Sequence, residues 1–214
     1  ASLGANTTGA NNVAVGSLAL DANTTATGNV AVGYNALTVN TTGATNLALG
    51  YYALAANTTA SFNTAVGNAS MQSNTTATGC TAVGSSSLNL NTTGDYNTAL
   101  GFSAGLSLTT GDRNVAVGSL SLDACTTGQY NIAVGNAALG SLTTASNNVA
   151  IGIQVLAANT TGASNVAVGA YALDANTTAS NNTAVGFDAL GVNTTGTYNT
   201  ATGNNSLDAN TTGN

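Results

Sequence analysis

Two aspartates, Asp95 and Asp112, stand 17 residues apart, and the only cation of the chain, Arg113, follows the second. Paired carboxylates attract hard cations such as calcium, so this pair is the weak metal candidate. The plainer reading is a solvated turn in which Arg113 offsets the like charge. Asparagine offers a different chemistry. Asn6, Asn23, Asn40, Asn57, Asn74, Asn91, Asn159, Asn176, Asn193 and Asn210 each open Asn-Thr-Thr, and Asn68 and Asn204 open two further N-x-S/T sequons. All twelve are glycosylation acceptors if the chain travels a glycosylating secretory route, although the same triplet also serves as turn chemistry. Beyond these there is little to react. Without His, Lys or Glu there is no triad, no histidine metal site and no ordinary general base. The expectation is a protein that is not an enzyme and needs no cofactor.

The elements that position these residues recur. The glycines Gly16, Gly33, Gly50 and so on to Gly203 are spaced by 17 without one insertion across twelve copies. The unit reads N-T-T-[GA]-x-x-N-x-A-V-G-x-x-[AS]-L-x-x, and residues 1–214 form a single repeat array. A closed loop tolerates insertions at little entropic cost, so a period that never slips implies units stacked in register. Seventeen residues are too few for a helical pair and suit one coil of a parallel β-solenoid.

Within the coil, N-V-A-V-G has strand character bounded by glycine. Val15, Val32, Val168 and their equivalents share a face with the residue two before, and these two columns are expected to point inward. The alanine between them, Ala14, Ala31, Ala167 and onward, never varies, which suggests a second packed surface on the other face. Leu20, Leu37, Leu173 and their equivalents are placed on a second strand, broken only by Gly105. The triplets, such as Asn23-Thr24-Thr25 and Asn159-Thr160-Thr161, would stack an Asn ladder beside one inward and one outward Thr column. The residue after Thr-Thr is Gly or Ala, so it cannot require positive φ in every coil. The invariant glycine of A-V-G, such as Gly33 or Gly169, is the better candidate for an unusual backbone.

Composition closes several possibilities. One Arg against seven Asp leaves no basic patch for nucleic acid. Apolar runs are only a few residues long, so no membrane span is expected in this segment. Cys80 replaces the Asn that opens N-x-A-V-G, and Cys125 replaces the Asn of N-T-T. At ~4.8 Å per coil they lie roughly 13 Å apart along the stack, too far for an intrachain bridge. The readings are two substitutions within ladders or an interchain bridge. The apolar core is thin, so ladders and contact with other copies must add stability, the all-Ala face being the expected contact. No capping unit is visible at either end, which suggests the repetitive body of a longer fibre, or ends covered by other copies.

The stretches "NNVAVGSLAL", "NTAVGNAS" and "NVAVGAYAL" resemble the head repeats of YadA-like trimeric autotransporter adhesins. The longer N-T-T-G-x-x-N-T-A-V-G-x-x-A-L unit is similar to repeats of bacterial surface proteins and phage tail fibres. The resemblance implies a self-assembling β-roll, a trimer or end-to-end filament, outside the cell as a fibre or adhesin segment that meets a surface receptor or glycan. The other expectation is ice binding through the Asn-Thr-Thr ladder, since regular outward Thr on a flat solenoid resembles antifreeze proteins; here the outward pair would be N-x-T.

Overall fold

A computed structural model describes residues 2–214. The chain is all-β: twelve three-residue strands run from β1 (Val13–Val15) to β12 (Thr200–Thr202), each 17 residues after the last. They pair in parallel, in sequence order, as one 12-stranded sheet. The register carries like onto like: Val13 faces Val30, Ala14 faces Ala31, and Val15 faces Val32. Each coil therefore advances the chain by one strand of a parallel β-solenoid. At ~4.8 Å per strand the stack is about 55 Å long.

Hydrogen bonding between coils does not stop at the strands. Leu20 N–H donates to the Ala36 carbonyl at 3.0 Å, and Ala22 N–H donates to that of Thr38 at 3.0 Å. Asn35 N–H donates back to the Ser17 carbonyl at 3.1 Å. In this way turn backbone is satisfied by the neighbouring coil, which is what lets most of a coil be turn.

Two expectations about the coil are corrected. The Leu column lies on no strand. Leu20, Leu37, Leu54 and their equivalents sit in a run of turns at φ near 50°. Left-handed backbone costs a leucine of order 1–2 kcal/mol; full burial of these side chains, the last coil's Leu207 excepted, and the inter-coil hydrogen bonds hold it there. The strand face is also inverted. Ala31, Ala48 and Ala167 are 0 % exposed, whereas the valine columns point outward. Val32 and Val168 are half-buried, Val83 is 38 % exposed and Ile151 40 %. The reason is the narrow coil. Inside the strand lie Leu20-type, Ala19-type and Asn23-type side chains, and only a methyl group fits between them.

The glycine expectation holds. Gly16 to Gly203 adopt φ of 120° to 139°, and a Cβ on Gly16 would sit 2.6 Å from the Gly33 carbonyl oxygen. Conformation and crowding both require glycine at this corner. The glycines after Thr-Thr, such as Gly9 and Gly43, have ordinary φ, as their exchange with alanine implies.

Candidate functional site

The most organised chemistry in the molecule is a pair of buried asparagine ladders flanking the turn after Thr-Thr. In the first, Asn23 Nδ2 donates to Asn6 Oδ1 at 2.8 Å and to the Ala26 carbonyl at 3.3 Å. In the second, formed by the Asn of N-x-A-V-G, Asn46 N–H and Nδ2 donate to Asn29 Oδ1 at 2.9 and 3.2 Å. That same Asn46 Nδ2 reaches the Ala60 carbonyl at 2.8 Å, where Asn57 of the first ladder donates at 3.1 Å. Where both ladders are intact, a turn carbonyl is thus held by two amides, one from either ladder. A buried carbonyl left without a donor costs about 1–3 kcal/mol, so the second amide is insurance.

The substitutions respect that pairing. Leu108, Cys125 and Leu142 replace Asn in the first ladder, and the carbonyls they abandon keep the second-ladder donor. Asn97 reaches Gly111 at 2.7 Å, Asn114 reaches Gly128 at 2.9 Å, and Asn131 reaches Ala145 at 3.0 Å. Cys80 is the converse case, and Asn91 of the first ladder donates to the Gly94 carbonyl at 2.9 Å. No coil loses both amides. The interruption leaves a trace: Asn91 Oδ1 is buried without a partner where Leu108 ends the first ladder, and so is Asn74 Oδ1 one coil earlier, where the Asn91 amide turns to the Gly94 carbonyl and Cys80 Sγ.

Of the two threonine columns one faces outward, as expected, while the other is only half-buried. The first of each pair is half-buried along most of the stack, and its hydroxyl donates to the threonine carbonyl of the next coil. Thr24 does so to Thr41 at 3.4 Å and Thr160 to Thr177 at 3.0 Å. The second, Thr25 or Thr161, is exposed. Because Asn23 and Asn159 are 0 % exposed, the outward N-x-T pair does not form. A single exposed Thr column remains.

The same burial bears on the sequons. Asn23, Asn40, Asn57, Asn74, Asn91, Asn159, Asn176 and Asn193 are 0 % exposed, with the side-chain amide inside the ladder. Asn6 and Asn210, in the terminal coils, are partly exposed, and Asn68 and Asn204 are exposed.

Asp95 and Asp112 come together through backbone. Asp112 Oδ1 accepts from Asp95 N–H at 2.8 Å, and Asp95 Oδ1 accepts from Thr78 N–H at 2.7 Å. Ser61 and Thr78 fill the same role with hydroxyl oxygens, so the carboxylates act as turn acceptors. Arg113 lies over two rings. Its guanidinium carbon is 5.3 Å from the Tyr96 centroid and 5.8 Å from that of Tyr130. Among the described residues no group of three or more Asp, Glu, His or Cys side chains gathers as a metal site would require.

Both cysteines are free and fully buried. Burial pushes each thiol up to about 11, so both stay protonated at neutral pH, and reaching another chain would require the coil to open. Among the described residues no helix is long and apolar enough to cross a membrane.

Sequence reasoning found the first ladder from its period. The shared carbonyl was not visible, because nothing in the spacing shows that two asparagines of neighbouring coils aim at one oxygen. No protein family, curated protein or solved structure matches the chain.

Proposed function

We propose that this protein is a structural, non-enzymatic segment of an extracellular fibre or adhesin, assembling with other copies of itself through the outward face of its strand sheet. One observation carries the reading. The two outward strand columns hold only Val, Ile, Leu or Thr in all twelve strands. Well inside the array Leu100 and Ile132 remain 38 % exposed. Parallel sheets ordinarily have both faces covered, and an exposed apolar patch of such extent marks an interaction surface. An uncharged face repeated by a constant period fits a second identical face better than an irregular partner. The expected contact moves from the alanine column, which is internal, to the valine columns.

Placement outside the cell rests on the likeness of the unit to surface-adhesin and tail-fibre repeats. Sedimentation velocity tests the assembly. Wild type is expected to form dimers or larger species that Leu100→Lys and Val117→Lys dissociate without loss of the β circular dichroism. A strictly monomeric wild type at high concentration overturns it.

Ice binding is favoured only by the exposed second-threonine column. Single rather than paired ranks of hydroxyls weaken that reading, and appreciable thermal hysteresis at micromolar protein would restore it.

A further inference from the structure

The coils are not equivalent at the corner that follows the strand glycine. Tyr34 and Tyr51 occupy it in neighbouring coils, stacked with ring centroids 5.4 Å apart and planes at 17°. No other neighbouring pair in that column is aromatic. Tyr52 closes on both edgewise, 4.5 Å from Tyr51 and 5.6 Å from Tyr34. Tyr34 is 43 % and Tyr51 52 % exposed, so this cluster is not core.

An open cleft of about 510 Å³ lies beside Tyr52. Ala55 and Ala56 form it, being small side chains in one coil between the longer pairs Thr38–Val39 and Gln72–Ser73 of the coils on either side. It is a shallow, open depression, so a ligand would lie against it with one face in solvent. The polar groups around it are neutral. Gln72 Oε1 accepts from Asn89 Nδ2 at 3.4 Å; this orients the amide and leaves its Nε2 without a partner among the described residues. The Thr38 and Ser73 hydroxyls are likewise uncommitted. No charged residue lines the cleft. The acid nearest in the Thr38 column, Asp21, lies one coil earlier, and the sole cation, Arg113, is held by Tyr96 and Tyr130 several coils away.

We propose that the cleft beside Tyr52 binds a neutral saccharide unit. A pyranose presents an apolar C–H face and a rim of hydroxyls, and the site offers the complement of each. Tyr52 and the two alanines supply apolar wall and floor, with Tyr34 and Tyr51 holding the Tyr52 ring in place. Thr38, Gln72 and Ser73 supply uncharged donors and acceptors at the rim. An anionic ligand would meet no counter-charge and the field of Asp21. Binding of a small sugar is read on whatever assembly the chain forms, so the result is independent of the sheet-face reading.

Saturation-transfer NMR with cellotriose, chitotriose and mannotriose tests the proposal. At least one trisaccharide is expected to saturate with a Kd of about 1 mM or tighter, and Tyr52→Ala and Ala55→Leu each to weaken it about tenfold or more. Phe102→Ala, an exposed aromatic in the Tyr34 column, is expected to leave binding unchanged. Circular dichroism reports folding, and Gln72→Ala, a surface change, carries the test if the other variants unfold. No saturation by any of the three sugars overturns the proposal, as does binding undiminished in the variants that fold. So does binding of choline or a proline-rich peptide at Tyr52 where the sugars fail.

Discussion

Coils from Asn159 to Asn210 and coils from Asn91 to Leu142 share a backbone but fill it differently. In the first region both ladders are complete: Asn165 and Asn176 donate to the same Ala179 carbonyl at 2.9 and 3.0 Å. In the second, Leu108, Cys125 and Leu142 bring apolar side chains into the first ladder, all 0 % exposed. Gly105 shows how volume is conserved. It is the one gap in the Leu column, and a Cβ there would meet Leu88 Cδ2 at 3.0 Å and Leu108 Cδ1 at 3.1 Å. The leucine missing from one column has been replaced by a leucine in the next. Fixed backbone register and total volume define the coil, while polarity at a ladder position is free provided the other amide remains.

The largest effects should come from breaking that volume exchange. Leu108→Asn empties part of the core and should cost about 2–4 kcal/mol. Gly105→Leu overpacks it and should cost about 1–3 kcal/mol. Together they recreate the arrangement of the regular coils and return a partner to Asn91 Oδ1, so the double variant should be less destabilised than the sum. Denaturant unfolding measures all three, and simple additivity would break the comparison. Ala116→Phe should disrupt more than Ser119→Phe for a related reason, since Ala116 is 1 % exposed and faces the interior.

Next comes the insurance carried by the two amides. Asn114→Ala strips the Gly128 carbonyl of its remaining side-chain donor, whereas after Asn165→Ala the Ala179 carbonyl keeps Asn176. The central variant should be less stable than the regular one by about 1–2 kcal/mol. Equal losses in chemical denaturation would show that the second donor does nothing.

A smaller difference is set by pH. Both thiols are raised from 9.0 to about 11 by burial. A group whose folded pKa is raised contributes fully below its unfolded value and loses that contribution as pH rises toward the folded one. The coils from Cys80 to Cys125 should therefore weaken between pH 9 and 11, and Cys80→Ala with Cys125→Ala should flatten the loss of melting temperature there. Smallest is Asp174, whose carboxyl is raised by partial burial and then by Asp188. The folded state disfavours its charge, so Asp174→Asn should raise the melting temperature slightly at pH 7 and do nothing once wild type is protonated in acid.

The period, the parallel register and the Asn ladder were legible because each repeats one residue type per coil, which only in-register stacking explains. The facing of the strand was not legible. An unvarying alanine column suits an outer contact as well as an interior too narrow for anything larger, and only burial separates the two. The leucine turn left almost no trace, since leucine does not favour the left-handed backbone it adopts and Gly105 alone marks it. The cleft beside Tyr52 depends on side-chain lengths in three successive coils, and no spacing rule expresses that.

Sedimentation velocity of wild type across a concentration series, beside Leu100→Lys, tests most directly the claim that the valine face is an assembly surface. The account predicts that wild type sediments as a dimer or larger species and that the lysine variant returns to monomer mass with its β-structure intact. A wild type at monomer mass at every concentration, with the same sedimentation as the variant, would contradict it.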